Sequence, residues 1–200
     1  MYNVGMVEEI EIKRKNYQVV EQISDHSFKV ERKGKYYLLK KFDDDPEGFE
    51  KFTDCEHRLR VSGVSNPKCY LYDKKLRWAI LDYIEGENCF DILKEKGALP
   101  EEVLELMFKA YWYARNDRMA LDMKPDNFVY ADGKLYYMPF KYEKFVSNDT
   151  FVQRDLRLWF FTKDFVKYCH DKGIDVDQSQ VKSDYETNKN IALMTVKYYR

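Results

Sequence analysis

The order of the hydrophobic patterns along the chain restricts its fold more than any other feature. From residue 16 to residue 83, apolar and polar residues alternate in short runs typical of β-strands, apart from one helical segment that begins at Pro46. From residue 90 onward, the longer segments carry apolar residues at three- and four-residue steps, which is typical of helices. Strands followed by helices predict an α+β protein built from two parts.

The first part, residues 1–84, is predicted to contain five antiparallel strands and one helix. Three strands are expected between residues 16 and 42, and two more between residues 69 and 83. The helix is expected to begin at Pro46, because proline is favoured at the first helical position and Asp45 before it can cap the helix.

The second part, residues 85–200, is predicted to be small and mainly helical. A short hairpin interrupts the helices, with strands near 128–130 and 135–138 and a turn at Asp132-Gly133. The two parts together form one domain in this interpretation. Helices are predicted at residues 90–96, 100–116, 151–172 and 185–198.

The charge balance and the apolar runs argue against several classes of partner. Thirty-four basic and 35 acidic residues leave a net charge of −1, so neither a nucleic acid nor an anionic membrane is expected to bind. No apolar run approaches the roughly 20 residues of a membrane span, and the first residues lack the build of a signal peptide. A cytoplasmic protein is therefore expected. Four cysteines and three histidines are widely spaced, which indicates reduced thiols and no zinc site.

The most specific motif is Leu-Asp-Met-Lys-Pro-Asp-Asn-Phe-Val at residues 121–129, between a long predicted helix and the hairpin. It resembles the catalytic loop of the protein-kinase-like superfamily, and most of all its compact members: RIO-type kinases, lipopolysaccharide-core kinases and aminoglycoside phosphotransferases. The resemblance extends over residues 16–172. It implies a two-lobed fold, with an N-lobe of five strands and one helix at residues 1–84 and a helical C-lobe at residues 85–200.

The resemblance also implies a role for each polar residue of this loop. Asp122 would accept the proton of a substrate hydroxyl, Lys124 would steady the transferred phosphoryl group, and Asn127 would hold Mg²⁺. The histidine and arginine that usually precede the aspartate are Ala120 and Leu121 in this chain. Their absence affects regulation and positioning more than the reaction itself.

A nucleotide site is implied in the N-lobe and at the hinge that follows it. Residues 37–40 resemble the Val-Ala-Ile-Lys strand, so Lys40 would contact the phosphates of ATP and pair with Glu56 on the helix. Lys41 is its rival, since neighbouring side chains on a strand face opposite ways. The alternative is an exposed lysine and an ordinary acid on the helix surface. The adenine would meet the hinge at Asp82 and Ile84 and apolar walls from Ile23, Val30 and Leu38.

Two departures from the family pattern predict impaired chemistry. Residues 24–30 contain no glycine where the phosphate loop has three, so ATP binding is expected to be weak. Pro139 replaces the aspartate of Asp-Phe-Gly that binds Mg²⁺, so any binding is expected to be largely independent of metal. Asp126, Asp132 and Glu143 are nearby acids that could replace it, but none is at the usual position.

Three interpretations of the function remain open. In the first, the chain is pseudokinase-like and binds a nucleotide or a partner protein without performing chemistry. In the second, it is an active ATP-dependent kinase that phosphorylates a serine or threonine or a small-molecule hydroxyl. In the third, it is an unrelated α+β protein. Asp155 resembles the helix aspartate that braces the catalytic loop, which is a structural role; its alternative is a simple acid at a helix start.

Overall fold

The computed structural model describes residues 9–146 and 151–198 and is of the α+β class, as the sequence predicts. The chain divides into two compact units. Unit 1 contains the described residues up to Glu56 together with Pro67–Ile84. Unit 2 contains His57–Asn66 and the described residues from Glu85 onward.

Unit 1 is built on one antiparallel sheet of six strands in the order β1-β2-β3-β4-β6-β5. The turn between β3 and β4 is formed by Lys33 and Gly34 with positive φ angles of 55° and 75°, as the position of the glycine predicts. The strands are β1 Glu9–Ile12, β2 Lys15–Ser24, β3 Ser27–Arg32, β4 Lys35–Lys41, β5 Cys69–Asp73 and β6 Trp78–Asp82.

The prediction of five strands in this unit is wrong, because β1 is a sixth strand at the edge of the sheet. Ile10 and Ile12 of β1 are buried, and Glu9 and Glu11, which alternate with them, are exposed. The turn that joins β1 to β2 consists of Lys13 and Arg14, both with positive φ. Neither residue is favoured in such a turn, so the sequence gives no signal for this hairpin.

Both faces of this sheet carry buried residues, since Leu38 and Leu39 are neighbours on β4 and both are buried. One helix completes the unit. Helix α1 spans Pro46–Ser62, and Asp45 caps it by accepting a hydrogen bond of 2.8 Å from the backbone N–H of Gly48, which confirms the predicted start. The helix begins in unit 1, and its last residues belong to unit 2. The buried cluster on the sheet consists of Ile10, Ile12, Tyr17, Val30, Leu39 and Ile80.

Unit 2 is mainly helical, with short strand pairs between the helices. The hairpin β9–β10 turns at Asp132 and Gly133, both with positive φ, as predicted. Its helices are α2 Cys89–Lys96, α3 Glu101–Asn116, α4 Phe151–Arg154, α5 Lys163–Asp171 and α6 Asp184–Tyr198. Its strands are β7 Glu87–Asn88, β8 Met119–Ala120, β9 Phe128–Ala131, β10 Lys134–Tyr137 and β11 Glu143–Lys144.

The prediction of one helix over residues 151–172 is wrong. The segment is divided into α4, a 3-10 turn at Leu156–Trp159, and α5. Thr162 starts α5 because its hydroxyl oxygen accepts a hydrogen bond from the N–H of Phe165. Trp159 is fully buried, and its indole N–H donates to the carbonyl of Met123. These tertiary bonds stabilise the break, although the apolar spacing favours a continuous helix. No helix within residues 9–146 and 151–198 is long and apolar enough to cross a membrane.

The contribution of β1 can be tested with Ile12→Ala. Ile12 is fully buried in the core of the sheet, so the substitution is expected to lower the free energy of unfolding by about 2–5 kcal/mol. Val20→Ala on the exposed side of β2 is the control, with an expected change within about 0.5 kcal/mol. Urea unfolding followed by circular dichroism measures both. Equal stability of Ile12→Ala and the parent would show that β1 is not part of the folded core.

Candidate functional site

The residues proposed from the sequence form two groups, one in each unit. The catalytic-loop group lies in unit 2, between β8 and β9. Strand β8 pairs with β11, which fixes the start of the loop. A 3-10 turn at Pro125–Asn127 then leads directly into β9, with the N–H of Asn127 donating to the carbonyl of Lys124 over 3.0 Å. The loop is therefore anchored to a strand at each end.

Within this loop, the structure brings Asp122, Lys124 and Asn127 together. The side-chain amide nitrogen of Asn127 donates a hydrogen bond of 2.9 Å to the backbone carbonyl of Asp122. The ammonium group of Lys124 lies 3.4 Å from carboxylate oxygen Oδ1 of Asp122. This bond uses one N–H of the Asn127 amide group, and the amide oxygen is its atom that can contact a cation.

A second ammonium group near Asp122 was missed in the sequence analysis. Lys141 Nζ lies 3.7 Å from Asp122 Oδ2, on the carboxylate oxygen that Lys124 does not contact. Lys141 stands at the third position of Pro139-Phe140-Lys141, where the family motif has glycine. A charged residue in place of that glycine is the signal that could have identified it.

The carbonyl groups of the loop are braced from the segment around Asp155. Arg154 donates to the carbonyl of Leu121 over 3.5 Å, and Trp159 donates to that of Met123 over 2.6 Å. Asp155 itself is buried, and Arg154 Nε lies 3.2 Å from its carboxylate. Burial raises the pKa of Asp155 above its ordinary value, although the charge of Arg154 acts in the opposite direction. Bracing by Asp155 itself remains a prediction.

A pocket of about 480 Å³ opens beside Asp122 and lies wholly within unit 2. Three basic and three acidic side chains line it, so its formal charge is balanced. Its lining consists of Ala120, Leu121, Asp122, Lys124, Lys141, Tyr142, Glu143, Arg154 and Asp155.

The three acids considered as substitutes for the missing metal ligand lie in different places. Asp126 accepts hydrogen bonds from the Tyr168 hydroxyl over 2.9 Å and from Lys172 Nζ over 2.8 Å, so it binds α5. Its other carboxylate oxygen is buried without a partner in the described part of the chain. Asp132 is in the hairpin turn, and of the three only Glu143 lines the pocket.

The side chains around Asp122 are a poor fit for Mg²⁺. In the described ranges 9–146 and 151–198, no group of three or more histidine, cysteine, aspartate or glutamate side chains could hold a metal ion. Mg²⁺ requires oxygen ligands in an octahedral arrangement. Asp122 already has an ammonium group near each oxygen, and the side chain of Pro139 offers no ligand atom.

The second group of candidate residues lies in unit 1, where the strand register separates Lys40 from Lys41. Lys41 Nζ lies 4.6 Å from the ring centres of both Phe28 and Trp78, on the face that carries the buried cluster. Lys40 therefore lies on the opposite face, with Leu38. Burial lowers the pKa of the Lys40 ammonium group below its ordinary value, because the charged form loses hydration.

Glu56 lies on α1, and its side chain is partly buried. Burial, and secondly the negative charge of Glu56, raise the pKa of the Cys69 thiol to about 11. Glu56 therefore points toward β5 of the same unit. Its predicted ion pair with Lys40 remains a prediction.

The predicted apolar wall of Ile23, Val30 and Leu38 does not form one surface. Val30 pairs with Tyr37 and belongs to the buried core, whereas Leu38 is one residue along β4 and faces the other way. Ile23 is 48% exposed beside a register shift at the end of β2. Including Val30 with Leu38 was therefore wrong, because the position of a residue in a motif does not fix the face to which it points.

Lys29 is the residue of β3 that pairs with Leu38 and shares its face. Its ammonium group lies 4.2 Å from the ring centre of Tyr36 and 4.4 Å from that of Tyr83. A cation held over two aromatic rings is a favourable contact. It places a positive charge over Tyr83, which lies between Asp82 and Ile84 of the predicted hinge.

At the predicted hinge, Asp82 has structural contacts. Its carboxylate accepts hydrogen bonds from the Tyr70 hydroxyl over 2.6 Å and from Lys35 Nζ over 3.4 Å. Its backbone N–H donates to the carbonyl of Lys68 over 2.9 Å. Asp82 therefore ties β6 to its neighbours, and its N–H is already used. Ile84, the last residue of unit 1, is partly buried.

Comparison of the chain with models of known protein families gave no match. A search of curated proteins also gave no match. A function for this chain is therefore inferred from its fold and from the two groups of residues described above.

The raised pKa of Asp155 predicts a specific pH dependence of stability. The folded state holds a proton on Asp155 more strongly than the unfolded state, so this group's contribution to stability falls as pH rises through the raised pKa. Relative to the parent, Asp155→Asn should therefore gain stability as pH rises from about 4, the ordinary pKa of aspartate, through the raised pKa of Asp155. Urea unfolding at a series of pH values measures this difference.

Asp177→Asn is the matched control with the opposite sign. Hydrogen bonds from the Ser179 hydroxyl and N–H lower the pKa of Asp177, so its contribution is lost as pH falls. This variant should therefore lose stability relative to the parent as pH rises toward about 4, the ordinary pKa of aspartate, and the difference should stay constant at higher pH. A difference for Asp155→Asn that is independent of pH would contradict the raised pKa.

Proposed function

We propose that this chain is a small protein-kinase-like protein that binds a nucleotide and in which phosphoryl transfer is impaired or absent. The observation that carries the proposal is the geometry of the catalytic loop. Asp122, Lys124 and Asn127 lie in mutual contact, with an Asn127 to Asp122 hydrogen bond of 2.9 Å and a Lys124 to Asp122 distance of 3.4 Å. A hairpin with a glycine turn follows directly, as the resemblance implies.

In this proposal, units 1 and 2 correspond to the N-lobe and the C-lobe of a kinase-like fold. Two features support the correspondence. Unit 1 combines an antiparallel sheet with the single helix α1, and unit 2 is mainly helical around the loop and hairpin. The additional edge strand β1 extends the sheet without changing the order of the other five strands.

Lys40 is proposed to contact the phosphates of the nucleotide. A partly buried ammonium group with a lowered pKa gains from an anionic ligand, because the ligand compensates for its lost hydration. The turn between β2 and β3 argues for weak binding. Only Asp25 and His26 separate these strands, so this turn lacks both glycine and the length to surround a triphosphate.

Catalysis is proposed to be impaired for two reasons. A substrate hydroxyl that gives its proton to Asp122 must compete with the ammonium groups of Lys124 and Lys141 for the carboxylate oxygens. The residues around Asp122 also do not fit Mg²⁺, which in active relatives would neutralise charge on the transferred phosphoryl group.

The alternative is an active ATP-dependent kinase that acts on a serine or threonine of a protein or on a small-molecule hydroxyl. The complete set Asp122, Lys124 and Asn127 favours this alternative. A chain that only binds a partner protein would have no need of Asp122 as a base. Turnover that requires Asp122 would therefore distinguish an active kinase from a pseudokinase-like protein and from an unrelated α+β protein.

Nucleotide binding can be tested with Lys40→Met and a matched control, Lys41→Met. Isothermal titration with ATP is expected to show weak binding that Lys40→Met reduces by about tenfold or more, since a charge-assisted contact is lost. Lys41 lies on the other face, over Phe28 and Trp78, so Lys41→Met should leave the affinity unchanged. Equal effects of the two substitutions would contradict the assignment of Lys40.

Catalysis can be tested by restoring the metal-binding motif. Pro139→Asp, alone and combined with Lys141→Gly, is expected to raise ATP hydrolysis or phosphoryl transfer in Mg²⁺, because neutralising charge at the phosphoryl group contributes on the order of several kcal/mol. Adding Asp122→Asn should abolish the gain. A restored protein that folds, binds ATP with Mg²⁺ and stays inert would favour a binding protein without catalysis. Asp122-dependent turnover by the unmodified chain would instead establish the active kinase.

A further inference from the structure

Lys141 introduces a positive charge beside the candidate base that the resemblance does not account for. Its ammonium group lies 3.7 Å from Asp122 Oδ2, and Lys124 lies 3.4 Å from Asp122 Oδ1. The carboxylate therefore lies between two ammonium groups. Lys141 follows Pro139 by two residues, so the loss of a metal-binding carboxylate and the gain of a cation occur in the same short segment.

The backbone around Lys141 is held by buried groups. Its carbonyl accepts a hydrogen bond of 3.0 Å from the hydroxyl of Tyr137, whose side chain is fully buried. The hydroxyl of the next residue, Tyr142, accepts a hydrogen bond of 2.8 Å from Arg58, whose guanidinium also lies over the Tyr142 ring. The start of the segment is fixed by Met138, whose N–H donates to the carbonyl of Asn127 over 2.9 Å. The backbone of Lys141 is therefore held in place before any ligand binds.

The two lysines are the cations of the pocket best able to meet a ligand. The guanidinium of Arg154 already contacts the carboxylate of buried Asp155 and the carbonyl of Leu121. The side chains of Lys124 and Lys141 are 39% and 67% exposed, and both line the pocket of about 480 Å³. An anion there would also be close to the carboxylates of Asp122 and Glu143, so its oxygens must contact the two ammonium groups rather than the carboxylates.

Pro139 and Lys141 together carry the same net charge as an aspartate with a bound Mg²⁺ ion. An aspartate with a charge of −1 and a Mg²⁺ ion with a charge of +2 contribute a net +1. Pro139 and Lys141 also contribute a net +1, and they do so without a metal ion. An ammonium group with three donors can bind phosphate oxygens through charge-assisted hydrogen bonds.

We propose that Lys141 and Lys124 form an anion site that binds a phosphate group of a polyphosphate ligand without a divalent cation. The identity of the ligand as a nucleoside di- or triphosphate rests on the function proposed above. The anion site itself does not, because all of its residues lie within unit 2. Lys141 is a binding residue in this proposal, in the place where a metal would bind the same phosphate.

The test is isothermal titration of the full chain with inorganic tripolyphosphate and with ATP, each in EDTA and in MgCl₂. Binding of tripolyphosphate in EDTA is expected, and Lys141→Gln should weaken it by about tenfold, as expected for one charge-assisted contact. Lys141→Arg, which keeps the charge, should retain most of the affinity. Lys144→Gln is the matched control, because Lys144 is an exposed lysine of the neighbouring strand β11 outside the pocket. Thermal unfolding checks that each variant is folded.

Three results would overturn the proposal: no tripolyphosphate binding at millimolar concentration, binding only in MgCl₂, or equal weakening by Lys141→Gln and Lys144→Gln. The last result would indicate a general effect of surface charge. ATP binding that depends on Lys40 and Mg²⁺ but not on Lys141 would reject this inference and leave the proposed function standing. Tripolyphosphate binding that depends on Lys141, with ATP binding no tighter and insensitive to Lys40→Met, would support the anion site and reject the nucleotide function.

Discussion

Three buried aromatic side chains support the loop that carries Asp122, and the geometry around Asp122 depends on them. The ring centres of Tyr137 and Trp159 each lie 5.2 Å from that of Phe128. The polar groups of two of these side chains also form hydrogen bonds. The indole N–H of Trp159 donates to the carbonyl of Met123, and the hydroxyl of Tyr137 donates to that of Lys141. The backbone N–H of Tyr137 donates further to the carbonyl of Ser65 after α1. The same apolar cluster therefore positions both the loop and the segment that carries Lys141.

Electrostatics at Asp122 separates binding from catalysis. A general base needs a carboxylate oxygen that can reach a hydroxyl proton, whereas a phosphate site needs fixed positive charge. The ammonium groups of Lys124 and Lys141 provide the positive charge of a phosphate site. They also oppose the action of Asp122 as a base, because they lie 3.4 and 3.7 Å from the two oxygens of its carboxylate. An arrangement of this kind favours an anionic ligand over the chemistry that the loop sequence resembles.

The sheet of unit 1 shows which structural features can be predicted from local sequence patterns. Alternation, the turn at Lys33 and Gly34, and the cap at Asp45 are properties of neighbouring residues, and the structure agrees with all three. The edge strand β1 escaped the sequence analysis because its turn lacks favoured residues. The face to which Val30 points was not predicted, because it depends on which residue of β4 pairs with Val30. Such pairing joins residues that are not adjacent in sequence.

The sequence by itself determined the α+β class and most of the strands and helices. It also determined the grouping of Asp122, Lys124 and Asn127, since these three residues lie in one short loop. Tertiary structure alone decided the break of the helix at Trp159, because burial of the indole and its bond to Met123 outweigh the helical spacing. It also decided that Lys141 meets Asp122. These residues are 19 positions apart, and only the anchored hairpin and the buried ring of Tyr137 between them bring the two charges into contact.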